Sequence, residues 1–373
     1  MEKKKLKEIC TTVSRCLLLN KLGDNNGPYP LFGAKGIMKY IDFYDYENDY
    51  LSVIKWGAGV GRITRHPGHS SILGTMQGLM PNSDIDIDWF YFCLKNMHLG
   101  KQASVTTVPN LYFKDYGENY IYVPTFEEQK KVAKRLNKLS DCIDDCLTEL
   151  NLLDELIKSR FIEMFGNDYS SSKYPIEKLG KYMTALVDFN ANGSYEKLDS
   201  NVKMYDEPNY AWMVRTTDLE NQEHDDIKYI DKDAYELLSK SKIFGGELIM
   251  SKIGSAGKIY LMPEIQMPAS LGRNAFLMRF DEHKVDTVYL FYMLSTDFGT
   301  EDIMSKTRGA VTKTITKDDT RNIRYIDAPI HMQKEFSRFI KQINETKTNI
   351  RKRLNCLNEL LNKKMNEYFG DSE

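Results

Sequence analysis

The sequence predicts an α+β protein built as a tandem duplication: two mixed α/β globular units, separated and joined by two long helices that pair antiparallel. Three observations carry this. The stretch from Gln129 to Gly166 recurs, without a gap, as Gln333 to Gly370, sharing Gln-Lys at the front, L-N-x-L-x-E-L in the middle and E-x-F-G at the end. Apolar positions in both copies follow a 4-3-4-3-4-3-4 spacing, the a/d seam of a coiled coil held over more than three heptads. The segments before each copy, 1–123 and 167–327, repeat the same order of strand-like and loop-like pieces.

In the first long helix (124–166) the seam is Val132, Leu136, Leu139, Ile143, Cys146, Leu150, Leu153 and Ile157. In the second (328–373) it is Phe336, Ile340, Ile343, Lys347, Ile350, Leu354, Leu357 and Leu361. Each helix would run roughly 55 Å at 1.5 Å per residue, and neither can bury its stripe alone. If the intervening segment is compact, the second helix starts near the end of the first, so the pair must be antiparallel with one globular unit at each end. Lys347 on the stripe weakens the seam but fixes its register.

Segment 1–123 opens with a helix candidate, Lys4 to Leu19, followed by the turn-rich run GDNNGPYPLFGAKG. Strands are expected at Ile37–Phe43, Tyr50–Trp56 and Gly61–Arg65, the last two forming a hairpin across Gly57-Ala-Gly-Val-Gly61. A short buried helix is expected at Asp88–Met97, then strand-like pieces at Val105–Pro109 and Tyr120–Val123, which Pro124 ends. Thr125 or a neighbour caps the long helix, with Glu127 and Glu128 complementing its dipole. The second unit answers in order. Tyr174–Gly180 answers the start, and Glu247–Ile253 and Lys258–Met262 flank Gly254-Ser-Ala-Gly257 as the second hairpin. Val288–Leu294 answers the buried helix, and Thr312–Asp318 with Ile323–Ile326 leads to Ala328-Pro329.

At 373 residues the chain is long enough for two or three domains with their own cores. Its 42% hydrophobic and 28% charged residues are ordinary for a globular protein, and no apolar run reaches the ~18 residues that span a membrane. The start, MEKKKLKEIC, lacks the apolar core of a signal peptide. The six cysteines (Cys10, Cys16, Cys93, Cys142, Cys146, Cys356) have no C-x-x-C spacing and read as reduced thiols of a cytoplasmic protein. A net charge of −2 does not advertise a phosphate binder. Segment 1–123 carries 14 Lys+Arg against 12 Asp+Glu, and 167–328 carries 21 against 26, so any such role falls to local clusters.

Catalytic constellations are missing: there is no P-loop, G-x-S-x-G or H-E-x-x-H. The loop Gly57–Gly61 lacks the following helix that a dinucleotide site needs, and its counterpart has only G-x-x-G. Both Gly loops lie beside basic residues (Lys55, Arg62; Lys252, Lys258), which fits a backbone that approaches either a phosphate or another piece of protein. Asp84, Asp86 and Asp88 lack the glycine and later Glu of a calcium loop and read as helix caps rather than metal ligands. His66 and His69, in an H-P-G-H turn, read as solvated loop histidines. What remains are basic and amide-rich loop residues: Lys35; Lys101 and Gln102; Ser255; Arg273 and Asn274; Lys306, Arg308 and Lys313. Arg, Lys, Asn and Gln read base edges, while Ser and Thr position on phosphate.

Together these features resemble the specificity subunits of type I restriction–modification systems. The resemblance lies in Pro124 to Gln129 at the first helix entry, with Pro329-Ile-His-Met-Gln333 as a reduced form lacking Glu-Glu. It lies also in the L-x-x-L-x-E-L endings before Phe165-Gly166 and Phe369-Gly370, in Pro30–Ile37, and in Gly246–Lys258. It implies a non-catalytic reader of double-stranded DNA. Two target-recognition domains (1–123 and 167–327) would each read half of a split, asymmetric sequence. The helical pair would act as a ruler, ~55 Å answering to roughly 16 base pairs, and as a dock for two methyltransferase subunits. Those partners would carry S-adenosylmethionine, with no cofactor in this chain, and restriction subunits would add cleavage. Two other readings stand beside it: a coiled-coil scaffold whose end domains bind proteins, and an enzyme using a Gly loop.

Overall fold

The computed structural model describes residues 2–13, 17–57, 59–104, 107–220 and 226–370. Cys16, Ala58 of the first Gly loop, and Val105 and Thr106 of one expected strand lie outside them. Two 40-residue helices, Phe126–Phe165 and Ile330–Phe369, follow the two mixed α/β regions. The chain divides into two compact units: residues 1–150 with 349–373, and residues 151–348. Each unit holds one α/β region and part of both helices.

In the first unit a four-stranded antiparallel sheet runs in the order Cys10–Val13, Met76–Pro81, Tyr50–Ile54, Ile63–His66. Tyr50–Ile54 is buried on both faces; its residues are apolar except Ser52, whose hydroxyl is hydrogen-bonded to His66. Leu51 and Val53 pack toward the helix Ile87–Asn96, while Tyr50 and Ile54 face a second cluster with Tyr46, Ile72 and Met76. That cluster lies toward the three-stranded sheet of Gly36–Ile41, Tyr29–Gly33 and Ser71–Ile72. Both Gly-loop hairpins form as expected: Leu51 to Val53 pair with Arg65 to Ile63, and in the second unit Leu248 to Met250 pair with Leu261 to Ile259.

The helix expected over Lys4–Leu19 does not form over its described residues, with 14–16 lying outside them. Glu2–Lys5 is a strand against Tyr120–Val123, one helical turn spans Leu6–Ile9, and Cys10–Val13 is an edge strand against Met76–Pro81. Pairing with distant strands overrides a weak local preference, and the β-branched Thr11, Thr12 and Val13 suit the sheet. Of Thr312–Asp318 only Lys313–Thr314 is strand, because Thr316 caps a short helix, Lys317–Arg321. Residues 107–109, the described end of the expected Val105–Pro109 strand, are not in a strand.

The second unit contains the corresponding antiparallel sheet, Met183–Asp188, Ala275–Phe280, Leu248–Ser251, Ile259–Leu261. It adds a mixed sheet of Tyr229–Ile230, Ala211–Val214, Ala269–Leu271 and Lys242–Ile243. Period-two alternation divides Leu248 and Met250, in one core, from Ile249 in the other.

Within each unit the long helices run antiparallel. In the first, Arg135 donates to Tyr368 Oη at 3.0 Å, and Arg353 reaches both Glu149 and the Cys146 sulfur. In the second, Arg160 pairs with Glu335 at 2.9 Å and Lys347 with Asp154. Every seam position is buried or half-buried. Lys347, 6% exposed, extends its ammonium to the half-solvated Asp154, so its stem is buried and its charge is paired. Lys347→Met is therefore expected to change stability by less than about 1 kcal/mol in either direction, with loss of register as the larger effect, read by pairwise crosslinking along the seam.

Equivalent glutamines root the two helices. Gln129, 1% exposed, accepts from the Asp86 backbone N–H at 2.8 Å and donates to the carbonyls of Asp84 and Pro124. Gln333, fully buried, accepts from the Asp286 N–H at 2.8 Å, with its amide nitrogen near the carbonyls of Lys284 and Ala328. Asp86 and Asp286 cap the short helices Ile87–Asn96 and Thr287–Leu294 through their own carboxylates. Each glutamine thus ties a long helix to the start of a buried one.

His66 departs from the solvated reading. It ends a strand, is 4% exposed, shares a 2.8 Å hydrogen bond with Ser52, and stacks on Tyr50 at 5.0 Å. Only His69 is exposed, in a left-handed conformation at φ 51°. Burial lowers the His66 pKa to about 4 from 6.5. The unfolded chain therefore binds the extra proton first, and stability is lost as pH falls from 6.5 to about 4, levelling below. A loss on the order of 3 kcal/mol is expected at most. His66→Phe should flatten that part of the first unit's pH–stability curve, measured by denaturant unfolding from pH 7 to pH 4.

Candidate nucleic-acid interface

In the first unit the loop after Tyr50–Ile54 gathers the basic residues. Gly61, at φ 80°, packs so close to the Gly100 backbone that a Cβ would lie 2.2 Å from its nitrogen. This seats the loop on the turn Leu99–Gln102, where Lys101 and Gln102 are exposed. Arg62 donates to the carbonyl of Ala34, joining the loop to the hairpin tip that carries Lys35. Lys55 lies over the Trp56 ring at 5.4 Å, and Trp56 Nε1 donates to Tyr112 Oη at 3.3 Å. Around Lys35 the hairpin leaves Ile37, Met38 and Tyr40 about half exposed. The sequence places Ile37, Met38 and Tyr40 between and beside Lys35 and Lys39, but their exposure is set by the fold.

In the second unit a backbone ladder joins most of the candidates into one strip. Lys252 N–H donates to the Asn274 carbonyl at 2.8 Å, and Lys252 in turn accepts from Ile315 at 3.1 Å. Ile253–Gly254 pairs with Lys313–Thr314, and Thr314 bridges to Arg308. Gly254, Ser255, Lys258 and Lys313 line one surface cavity beside the Gly loop. Arg273 and Asn274 form the corner at the Lys252 end of this strip.

The side chains differ in what holds them. Lys252 and Lys317 both bind Asp188, at 3.0 and 3.1 Å, and the Lys252 side chain is largely covered. Burial pushes the Asp188 carboxyl up, yet hydrogen bonds from the two ammonium groups outweigh it and leave its pKa below the ordinary value. Lys306 and Arg324 similarly hold Asp302, at 2.8 and 2.7 Å. Lys258 pairs with Glu220, Arg308 with Asp319, and Arg273 with Asp199. Lys35, Lys101 and Lys313 are exposed and have no ion pair among the described residues. Lys252 and Lys306 thus chiefly neutralise buried carboxylates, while the exposed cations can exchange partners.

Of the three aspartates expected to cap the helix Ile87–Asn96 only Asp86 does so, through the Trp89 N–H at 2.9 Å; Asp88 lies inside the helix and pairs with Arg65 at 3.1 Å, and Asp84 lies 3.8 Å from Lys4. No group of three potential metal ligands occurs among the described residues, and none of their helices is long and apolar enough to cross a membrane.

Residues 1–156 match the family model of the type I restriction modification DNA specificity domain. The chain is 30% identical over 129 residues to the EcoprrI specificity subunit of Escherichia coli, covering 33% of this chain and 30% of that protein's length. It is 22% identical over 320 residues to the MjaVIII specificity subunit of Methanocaldococcus jannaschii, covering 80% of this chain and 72% of that protein. In fold it is similar to the S subunit of a type I restriction–modification system from M. genitalium (TM-score 0.61, 15% identity, 100% of this chain and 96% of that one). A chain from a structure of type I R-M complex assembly and conformational transition is also similar (TM-score 0.55, 13% identity, 98% and 97% covered). The chain is thus similar to type I restriction–modification specificity subunits, through the specificity-domain match over residues 1–156 and through its overall fold.

Proposed function

We propose that this chain is the DNA-reading subunit of a type I restriction–modification complex, each α/β region reading one part of a two-part target. The observation that carries the proposal is the repeated placement of basic residues on a Gly-loop hairpin, with exposed Arg62 in one unit and exposed Lys258 in the other, within a region that roots a 40-residue helix through a buried glutamine. Rigid scaffolds holding polar loops suit base readout, because phosphate contacts position a protein and base contacts specify the sequence. The relatives' names support the same reading.

In this proposal the chain performs no chemistry. Adenine methylation belongs to two methyltransferase subunits that carry S-adenosylmethionine and dock on this chain, cleavage belongs to restriction subunits, and the site of action is the cytoplasm. Near-neutral overall charge accords with partners supplying part of the phosphate contact.

Sequencing the methylated bases of cells with and without this chain tests the reading. A two-part motif that vanishes when the chain is deleted is the expected result. An unchanged methylation pattern, with no sequence preference by the complex in gel-shift assays, would favour a protein scaffold instead.

A further inference from the structure

The corner Gly272-Arg273-Asn274 links the two four-stranded sheets of the second unit, running from Ala269–Leu271 into Ala275–Phe280. It is pinned on both sides. Gly272 N–H donates to the Val214 carbonyl at 2.8 Å, and the Asn274 carbonyl accepts from Lys252 at 2.8 Å. A Cβ on Gly272 would lie 2.8 Å from the Val214 oxygen, and Asn274 adopts φ 65°, a left-handed conformation that asparagine tolerates.

The Arg273 side chain is held as firmly as its backbone. Its guanidinium lies 5.2 Å from the centroids of both Phe189 and Tyr195. One terminal nitrogen donates to Asp199 at 2.8 Å, and 40% of the side chain remains open to solvent. Phe189 is buried and Tyr195 is exposed, so the pair forms a wall with one solvent edge. An ordinary surface arginine samples many rotamers. This one has its plane set by aromatic contact and its rotation set by a carboxylate, and it keeps N–H groups not used by Asp199.

Bidentate donation from a planar guanidinium matches the O6 and N7 acceptors of guanine in the major groove, whereas adenine places a donor where O6 would be. We propose that Arg273 reads a guanine in one part of the target, with Asp199 as the positioning residue that presents it. This rests on the specificity-subunit reading and adds to it a residue, a base and a brace.

The test uses the full chain assembled with its methyltransferase partner, once the methylated motif is known. Arg273→Ala and Arg273→Lys are each expected to relax one guanine position in one half of the motif, leaving the other half and the gap unchanged. The lysine variant keeps the charge but loses the fork. On duplexes with 7-deazaguanine at that position, wild-type binding should fall about five- to hundredfold, while binding by the alanine variant should not change. Asp199→Asn should relax the same position partially. If the wild type yields no two-part motif, the specificity-subunit reading and this inference fall together. If the motif exists but survives Arg273→Ala intact, or if 7-deazaguanine has no effect at any guanine of that half, only the assignment of Arg273 is overturned.

Discussion

Gln333→Met is expected to destabilise the second unit by about 4 kcal/mol, and Gln129→Met the first by about 3 kcal/mol. Methionine nearly matches the length of glutamine and fills the same space, so packing changes little. What it removes is the hydrogen bonding of a fully buried site. In the wild type, Gln333 Oε1 accepts from the Asp286 N–H, while Nε2 lies 3.0 Å from the Lys284 carbonyl, 2.6 Å from that of Ala328 and 2.8 Å from Tyr325 Oη. Each backbone group left unpaired in an apolar interior costs roughly 1–3 kcal/mol. Gln129 has two carbonyl partners and no tyrosine, hence the smaller figure. Hydrogen exchange resolved by segment is the appropriate measurement, because a chain of two units need not unfold in one step. Faster exchange should be confined to the unit that carries the substitution. Equal acceleration in both, or none in either, would contradict the rooting role.

The seam and the duplication were legible because periodicity accumulates. Positions such as Leu136, Ile157, Ile340 and Leu361 obey one rule over many turns, so a local exception such as Lys347 cannot disturb it. The Gly-loop hairpins were legible for a related reason: Gly57 to Gly61 and Gly254 to Gly257 interrupt short β-rich runs at matching places. The start of the chain was not legible, because Leu6, Ile9 and Cys10 have helical spacing while their neighbours pair with strands some 65 to 120 residues away. His66 was misread for the same reason: Ser52 and Tyr50, which enclose it, lie on the neighbouring strand.

At the candidate interface, residue types were legible and their partners were not. Lys252 and Arg273 both lie on second-unit loops and both looked free in sequence. Asp188 lies 64 residues from the first, and Asp199 74 residues from the second. Only folding separates a lysine that neutralises an internal carboxylate from an arginine held at the surface by a solvated one. The aromatic pair Phe189 and Tyr195 passed unnoticed because its significance depends on the corner it supports.

Phe336→Ala is expected to cost the second unit about 4 kcal/mol, the larger end for an aromatic truncation in a close-packed core. Phe336 is fully buried, and its ring meets Phe161 at 5.6 Å, Phe165 at 5.7 Å and Tyr292 at 5.7 Å, each edge-on. These contacts join both long helices to the buried helix Thr287–Leu294, so the void opens where three helices meet and none can close it without moving its own partners. Four other aromatic contacts among Phe161, Phe165, Tyr289 and Phe298 remain to hold the neighbours in place, which resists collapse of the cavity and keeps its cost high. Phe336→Leu should recover about half of the loss, since leucine refills part of the volume while forgoing the edge-on contacts. The same variants separate stability from reading. At temperatures where the second unit of Phe336→Ala stays folded by hydrogen exchange, and if the chain reads DNA as proposed, the methylated motif should be that of the wild type, because the rings that Phe336 meets lie on helices and none belongs to a candidate base-reading residue. A changed motif from a folded Phe336→Ala unit would mean that the helix core itself shapes the choice of bases.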